Sequence, residues 1–390
     1  MTIYTTMWSY LWDLVDDGMD ESVRRLGGEL SLDAVSVATA YHTFEQMRPQ
    51  RRGNKLLREE QAAIYFQPDL SLYRDTVIRP HVAPMAQTSN PLEQLAGAAS
   101  RQGLDVISWT VCLHNSFLCA QYPQLVQRTA YGDSLGWILC PGCDDVRAYV
   151  VALCTDLARN YGVHRVELET CNFGGYGHTH QHVKDGVVLG NIGQYLFSLS
   201  FSEGCCSKAT ARGIDVDALR AWVQEQLDPV FRDGVPLAGS IEDLLRSQAD
   251  LAAFQDLREE LVTSLIQEVR QALKATSAEL SFLLMGDRWI AGIRPDLIAP
   301  HTDRLGILAY TASPAEVVSK VQAALESGVP GPNHLVTGLC AYPPASPDAD
   351  TLQAVARAAI GTGVEELSFY NYGICPNSCL KWVRSCIDSI

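Results

Sequence analysis

Short apolar runs alternate with amphipathic segments along most of the chain. Each apolar run ends near Gly, Pro, Asn or Asp, which is typical of a strand that stops at a turn. The pattern predicts strands at 7–11, 34–40, 105–111, 165–170, 281–285, 304–308, 335–340 and 366–370. Between these strands the apolar positions recur at the helical spacing of 3.6 residues. Strands that alternate with crossover helices form a parallel sheet.

The helical segments have their own start signals, as in SPAEVVSKV and SPDADTLQAVA, where a capping residue precedes the apolar pattern. The predicted helices span 21–27, 91–102, 144–161, 215–227, 251–276, 314–326 and 348–360. Eight strands with crossover helices predict the α/β class and a (β/α)8 TIM barrel. A doubly wound sheet is the alternative, but no G-x-G-x-x-G turn follows the first strand.

The chain reads as a single domain over residues 1–390, since the sequence contains no clear linker, repeat or low-complexity tract. Two long insertions interrupt the alternation of strands and helices. They lie at about 41–90 after strand two and at about 171–213 after strand four. Both follow the carboxyl ends of strands, where a TIM barrel builds its ligand site. We therefore expect these insertions to form walls of a pocket.

Composition narrows the range of partners. The 390 residues are 47% hydrophobic and 19% charged, which is typical of a globular protein rather than a disordered one. A net charge of −15 disfavours binding to nucleic acid or to an anionic membrane. The sequence contains neither a signal-peptide pattern nor an apolar run of membrane-spanning length, so we expect a cytoplasmic protein. A small-molecule or oligosaccharide substrate fits best, and the chain could also form a homo-oligomer.

Aromatic and polar side chains recur at the predicted strand ends. Sugar rings stack on aromatic faces while their hydroxyl groups take directional hydrogen bonds, so this combination favours a carbohydrate site. For each single ring, packing of the barrel is the alternative interpretation. The candidate substrate-binding residues at these strand ends are Trp8, Tyr10, His42, Trp109, His114, Asn115, Glu167, Trp289, Tyr342, Tyr370 and Asn371.

Candidate catalytic carboxylates come from three of the strand ends. Glu167 and Glu169 are two residues apart on one strand and so face the same side of the sheet. Glu169 is nearer the carboxyl end and is the candidate general acid or base, with Glu167 as its support. Glycoside hydrolysis usually needs a second carboxylate, for which Asp287 is the first candidate and Asp13 the second. The alternative for Glu169 is a structural role in which it accepts loop hydrogen bonds.

The loop GGYGHTHQH, which follows the fourth strand, contains His178, His180 and His182. Imidazoles at this spacing could form hydrogen bonds with substrate hydroxyl groups. Alternatively, they could ligate a divalent metal together with His42, His114 or Glu169. Surface polarity without a function is the third interpretation. We expect substrate contacts and no cofactor, with a metal-dependent lyase, isomerase or hydrolase as the alternative.

Cysteine is frequent, with 12 residues that include CPGC at 140–143, a pair at 205 and 206, and CPNSC at 375–379. A structural zinc site needs two close cysteine pairs that converge in space. CPGC instead stands immediately before a predicted helix. We interpret most of these cysteines as buried thiols and leave a metal or disulfide role open.

Several segments together resemble a group of bacterial TIM-barrel proteins assigned as hypothetical glycoside hydrolases. They are WSYLWDLVDDG, AVSVATAYHT, IYFQPD, ISWTVCLHNS, CPGCDDVRAYVVAL and VELETCNFGGYGHTHQH, and the resemblance covers about residues 5–225 well. It implies a hydrolase-type barrel with Glu169 in the site and with His42, His114 and the histidine loop nearby. We therefore expect a glycosidase that acts on a glycoside or sugar-like molecule by carboxylate acid/base catalysis. A non-catalytic carbohydrate-binding barrel is a further alternative.

Overall fold

Parallel strands form a closed barrel in the computed structural model, which describes residues 2–177 and 182–390. The first strand pairs with the last, with Tyr4 opposite Glu366 and Met7 opposite Phe369. The first strand also pairs with the second, so the sheet closes on itself. Within the described residues the barrel strands are β1 (Tyr4–Tyr10), β2 (Ala34–Tyr41), β3 (Asp105–Val111), β4 (Arg165–Glu169), β5 (Glu279–Leu283), β6 (Arg304–Leu308), β7 (Leu335–Cys340) and β8 (Glu366–Tyr370). The predicted (β/α)8 TIM barrel is confirmed, and a doubly wound open sheet is excluded.

Helices connect the strands, and those predicted from periodicity are present with ends shifted by three residues or fewer, except that the helix predicted at 215–227 continues to Asp233. The helices at the predicted places are Met19–Val23, which continues through Arg24–Glu29, Pro91–Gln102, Asp144–Asn160, Val216–Asp233, Ala249–Leu273, Pro314–Glu326 and Ala349–Gly361. Two of them start as their capping motifs predicted, because Ser313 accepts from the Glu316 amide and Asp348 from the Thr351 amide.

Other elements carry weaker sequence signals and were not predicted. Additional α-helices are Leu11–Asp17, Pro84–Gln87, Ser116–Gln121, Gly190–Phe197, Glu203–Ala211, Ile241–Ser247, Arg288–Ala291, Pro295–Ile298 and Asn377–Ile387. Two antiparallel hairpins also lie in the connections. Phe44–Met47 pairs with Leu56–Glu59 after β2, and Val126–Arg128 pairs with Ser134–Leu139 after β3. No helix among the described residues is long and apolar enough to cross a membrane.

The barrel interior has a charged end and a middle that is filled by one indole. At the amino ends of the strands, Arg165 of β4 reaches across to Glu366 of β8 with two hydrogen bonds of 2.6 and 3.0 Å. We name this group, with Glu279 and Arg304, the barrel floor. Above it the side chain of Trp8 fills the interior, and a Cβ on Gly338 would lie 2.8 Å from its ring. Glycine at position 338 therefore leaves the space that Trp8 occupies.

Candidate active site

Glu169 is the last residue of β4, and its side chain is buried at the carboxyl ends of the strands with 8% of its surface exposed. Trp109 of β3 donates a hydrogen bond from Nε1 to Glu169 Oε2 at 2.5 Å. Burial raises the pKa of Glu169 to about 7, the Trp109 hydrogen bond opposes that rise, and the charge of Glu167 adds to it. A carboxyl group with this pKa can both hold and release a proton near neutral pH.

Glu167 lies one layer deeper in the barrel and is held by two donors. Trp8 Nε1 donates to Glu167 Oε1 at 2.7 Å, and Ser36 Oγ donates to the same oxygen at 2.9 Å. Burial also raises the pKa of Glu167, while these two hydrogen bonds lower it. The contacts from β1 and β2 fix Glu167 beneath Glu169, and its predicted role as a support of Glu169 stays a prediction.

The backbone directly after Glu169 adopts an unusual conformation. Thr170 has a φ of 50°, in the left-handed region that β-branched residues avoid. The neighbouring segment after β3 anchors this turn, because the Cys112 amide donates to the Glu169 carbonyl at 2.8 Å and the Leu113 amide to the Thr170 carbonyl at 3.2 Å. Backbone strain of this kind is concentrated at functional sites, where surrounding contacts maintain it.

Aromatic side chains surround Glu169. We name the group that consists of Glu169, Tyr10, Tyr41, Trp109 and Tyr370 the barrel mouth. Tyr10 OH lies 3.0 Å from Tyr370 OH and 3.4 Å from Tyr41 OH. Burial raises the pKa of Tyr370 to about 12 and holds the pKa values of Tyr10 and Tyr41 well above the usual range. These phenols are therefore protonated near neutral pH and can donate hydrogen bonds.

Further rings extend the mouth on two sides. Tyr10, Trp12 and Phe44 form a parallel stack with successive centroid distances of 4.5 Å. On the other side, Tyr342 lies 6.3 Å and Tyr310 lies 5.5 Å from the ring of Tyr370. Phe44 and Tyr310 were not among the predicted residues. Phe44 belongs to an unpredicted hairpin, whereas Tyr310 follows the end of β6 and could have been found by its position.

Asp13, a candidate second carboxylate, takes part in a buried ion pair. Arg48 Nε donates to Asp13 Oδ1 at 2.6 Å and Gln46 Nε2 to Oδ2 at 2.8 Å. Burial raises the pKa of Asp13 to about 6, although the contacts with Gln46 and Arg48 lower it. Asp13 thus joins the first helix to the hairpin after β2. Arg48, which sequence analysis missed, lies 35 residues away in the chain.

Asp287, the other candidate, caps the short helix that follows β5. Its Oδ1 accepts hydrogen bonds from the amides of Trp289 and Ile290 at 2.8 and 2.9 Å. The residue is exposed and lines a cavity of about 330 Å³ together with Thr170 and Asn172. Asp287 therefore opens onto a cavity whose wall begins one residue after Glu169. Trp289 is half-buried, with the Arg288 guanidinium 4.7 Å above its ring.

The histidine candidates fall into two groups. His42 and His114 lie at the strand ends with their rings stacked at 4.4 Å, and His42 Nδ1 is 2.7 Å from the Thr43 carbonyl oxygen. His182 is exposed. His178 and His180 lie outside the described residues. Within residues 2–177 and 182–390, no group of three His, Cys, Asp or Glu side chains has the arrangement that could hold a metal ion.

Three asparagines near the strand ends differ in what they contact. Asn115 caps the helix Ser116–Gln121 by accepting from the Leu118 amide at 2.8 Å. Asn371 is fully buried, and its Oδ1 accepts from the Gly373 amide at 3.0 Å. Asn371 Nδ2 and Asn172 Oδ1 are buried and have no hydrogen-bond partner among the described residues. Asn172 was missed in the sequence, although it follows Glu169 by only three residues.

These features define a TIM barrel that holds a buried, protonatable carboxyl group among aromatic rings at the carboxyl ends of its strands. No protein-family model matches the sequence, and no curated protein matches it. Among solved structures, the chain is similar to the PgaB (BpsB) glycoside hydrolase domain from Bordetella bronchiseptica, with a TM-score of 0.61, 13% identity and 99% of both chains covered.

Two larger enzymes are similar as well. They are alpha-L-fucosidase isoenzyme 2 from Paenibacillus thiaminolyticus, with a TM-score of 0.60 and 10% identity, and beta-galactosidase from the psychrophilic Marinomonas ef1, with a TM-score of 0.58 and 12% identity. The alignments cover 100% and 99% of this chain, but only 49% and 59% of the fucosidase and galactosidase. The structural neighbours are thus glycoside hydrolases with the TIM-barrel fold, and at these identities the likeness concerns the fold.

Proposed function

We propose that this protein is a glycoside hydrolase-like enzyme that acts on a glycoside or a sugar-like small molecule. The observation that carries the proposal is Glu169, a buried carboxyl group whose pKa is raised to about 7 at the carboxyl end of β4. Ligand sites of TIM barrels lie at this end. The aromatic barrel mouth supplies faces on which a sugar ring can stack, and protonated phenols that can donate to its hydroxyl groups.

In this proposal the protonated Glu169 donates its proton to the oxygen of the departing group as the glycosidic bond breaks. The hydrogen bond from Trp109 stabilises the carboxylate that remains. Beneath it, Glu167 is held in position by Trp8 and Ser36. Glu169 is thus the proton donor and the deeper residues are its supports.

Asp287 is the proposed second carboxylate. Both cap hydrogen bonds use its Oδ1, and the residue faces the cavity that Thr170 and Asn172 line. Asp13 suits this role less well, because Arg48 and Gln46 already bind its two oxygens.

Replacement of Glu169 tests the proton donor. Glu169→Gln keeps the shape of the side chain and removes the proton, so turnover should fall by about 10²-fold or more. The measurement is kcat on a panel of nitrophenyl glycosides and oligosaccharides, after a substrate has been found with the unaltered protein. Glu365→Gln, a half-buried neighbour of the barrel floor, is the matched control and should retain full turnover. Unchanged turnover in Glu169→Gln would show that another group donates the proton.

Asp287→Asn tests the second carboxylate without removing the cap, since asparagine caps a helix as well as aspartate does. The thermal midpoint should therefore stay constant while kcat falls by about 10²-fold. If the variant keeps both its thermal midpoint and its kcat, Asp287 only caps the helix and another residue is the second carboxylate.

A non-catalytic carbohydrate-binding barrel is the second candidate. The observation that favours it is that both candidate partners of Glu169 already serve the fold, Asp13 in an ion pair and Asp287 in a cap. Calorimetric titration with the same saccharides, followed by product analysis, separates the two functions. Heat of binding without any released sugar would favour the binding protein, and product formation would favour the enzyme.

A further inference from the structure

Two cavities adjoin at Asp287. We name the cavity of about 330 Å³ whose wall begins at Thr170 the inner cavity, and a second cavity of about 440 Å³ the outer cavity. Gln194, Asp287 and Ile290 line both of them, so the two cavities meet at these three side chains. Each volume lies in the range of small-ligand pockets. The space that begins at Thr170 therefore extends past Asp287 into a second compartment.

The outer cavity has an aromatic wall. Trp289 lines it and is half-buried, so part of its indole is accessible. The Arg288 guanidinium lies 4.7 Å from the centre of the indole, and the Tyr195 ring meets it edge-on at 6.4 Å. These contacts orient the ring of Trp289. A partly exposed indole in a cavity offers a surface on which the apolar face of a sugar ring can stack.

The backbone that carries Trp289 is fixed by the long helix Ala249–Leu273. Arg258, a buried residue of this helix, donates to the Trp289 carbonyl at 2.5 Å and to the Ile290 carbonyl at 2.6 Å. The cap hydrogen bonds of Asp287 hold the start of the same segment. Because this wall is fixed before a ligand arrives, binding costs less conformational entropy.

Two amide side chains give the cavities hydrogen-bond acceptors. Asn172 lines the inner cavity and is 4% exposed, and its Nδ2 donates to the Phe173 carbonyl at 2.7 Å, while its Oδ1 has no partner among the described residues. Gln194 Nε2 donates to the Tyr176 carbonyl at 2.6 Å, which leaves its Oε1 as an acceptor where the two cavities meet. Buried acceptors are normally satisfied. The hydroxyl groups of a sugar are donors of the kind that both amides require.

The charge of the outer cavity favours an uncharged ligand. Among the described residues that line it, Asp287 and Glu242 are acidic and exposed, and none is lysine or arginine. The neighbouring Arg288 is already paired with the buried Glu259, with Arg288 Nε 2.6 Å from Glu259 Oε1. A sugar with a carboxylate group would bring a third negative charge to this cavity without a cation to balance it, which is costly.

We propose that the outer cavity is a subsite for a second, uncharged sugar unit, so that the substrate is an oligosaccharide and not the glycoside of a single sugar. This inference rests on the proposed function and adds the course of the substrate across the site. One unit of the cleaved bond occupies the inner cavity beside Glu169 and Asn172. The next unit passes Asp287 and Gln194 and stacks on Trp289.

Binding of saccharides of increasing length tests the subsite. The protein is Glu169→Gln, which does not consume the ligand, and the probes are glucose, galactose and N-acetylglucosamine with their di- and trisaccharides. Calorimetric titration should show at least about tenfold tighter binding of a disaccharide than of its monosaccharide, because the second unit gains stacking on Trp289. A disaccharide that carries glucuronate should bind at least about tenfold more weakly than its glucose counterpart.

A tryptophan variant locates the second unit. In the Glu169→Gln background, Trp289→Ala should bring the ratio of monosaccharide Kd to disaccharide Kd close to one. Trp382→Ala, which removes a half-buried tryptophan of the last helix, is the matched control and should leave that ratio unchanged. If Trp289→Ala does not fold, Asn191→Trp fills the outer cavity from an exposed helix position and should have the same effect on the ratio.

The outcomes separate this inference from the proposed function. If the unaltered protein cleaves single-sugar glycosides and Glu169→Gln binds mono- and disaccharides equally, the subsite is refuted and the proposed function stands. If affinity rises with chain length but the unaltered protein releases no sugar, the proposed function is refuted and the subsite stands. Equal Kd ratios in the Trp289→Ala and Trp382→Ala variants would refute the assignment to the outer cavity, and the absence of binding by every probe would refute both.

Discussion

The barrel floor and the barrel mouth place the same type of residue in opposite environments. At the floor, the carboxylate of Glu366 accepts hydrogen bonds from Nη1 and Nη2 of Arg165, and Arg304 Nε lies 3.5 Å from Glu366 Oε2. Glu169 at the mouth receives a neutral indole N–H from Trp109. Both glutamates are buried, yet only one is neutralised by a permanent cation. The floor binds its charge tightly, whereas the mouth leaves a carboxyl group that can exchange a proton.

Strand β4 by itself contains the change from a charge held in ion pairs to a carboxyl group that can exchange a proton. Arg165, Glu167 and Glu169 alternate along one strand and share its inward face. From the floor upward they are an arginine in ion pairs, a glutamate held by an indole and a hydroxyl, and a glutamate with a raised pKa. An arginine fixed in ion pairs and a carboxyl group that can exchange a proton are therefore separated by about four residues of backbone.

The largest expected effect comes from breaking the floor. Glu366→Gln removes the more deeply buried of the two carboxylates that pair with Arg165, the other being Glu279 at 2.9 Å, and the Arg165 side chain is only 2% exposed, so the free energy of unfolding should fall by about 3–5 kcal/mol. Urea denaturation measures this change. Glu365→Gln, one residue away and half-buried, should cost less than about 1 kcal/mol. A loss for Glu366→Gln as small as that of the control would mean that the floor does not depend on this pair.

The fold was largely predictable because its signals are local. Apolar runs predicted the eight barrel strands, and helical spacing predicted the helices between them. The observed β1 and β5 begin two or three residues before their predicted positions. The hairpin Phe44–Met47 with Leu56–Glu59 was missed because its side chains are mostly exposed or half-buried, which leaves no strong apolar run. Position along a strand also sufficed to predict Glu167 and Glu169 as neighbours in the interior.

Contacts between distant segments could not be predicted from the sequence. Asp13 could not be recognised as the partner of Arg48, since nothing in a single sequence shows which hairpin residue reaches a helix 35 residues earlier. The cap role of Asp287, by contrast, had a local signal: DRWIAG begins with a capping residue and ends at Gly292, which is left-handed with a φ of 69°. The raised pKa of Glu169 depends on burial by residues from several strands, which only the assembled barrel shows.

A pH-dependent stability difference should distinguish the mouth from the floor. The pKa of Glu169 is raised from its ordinary 4.5 to about 7, so folding favours the protonated form. This contribution is fully present below about pH 4.5 and is lost as the pH rises through 7, a span that corresponds to roughly 3 kcal/mol. Glu169→Gln stays neutral, and its free energy of unfolding relative to the unaltered protein should therefore rise between pH 5 and pH 8.

Urea denaturation at several pH values measures that difference, with Glu365→Gln as the control that should follow the unaltered protein at each pH. A difference that stays constant from pH 5 to pH 8 would contradict a raised pKa for Glu169. Activity should follow the same titration, since the proton donor is the protonated form: kcat should decline as the pH rises through about 7.

The smallest expected effect concerns the hydrogen bond that links Trp109 to Glu169. The indole stabilises the carboxylate and so lowers the pKa of Glu169 against the effect of burial. Trp109→Phe keeps an aromatic ring but removes the donor, and because a hydrogen bond to a charged group contributes about 1.5–3 kcal/mol, the pKa should rise by about one unit or more. Glu169 would then stay protonated to higher pH, and the alkaline decline of kcat should move upward by the same amount. A kcat that falls equally at all pH values would instead show that Trp109 serves the site through its ring alone.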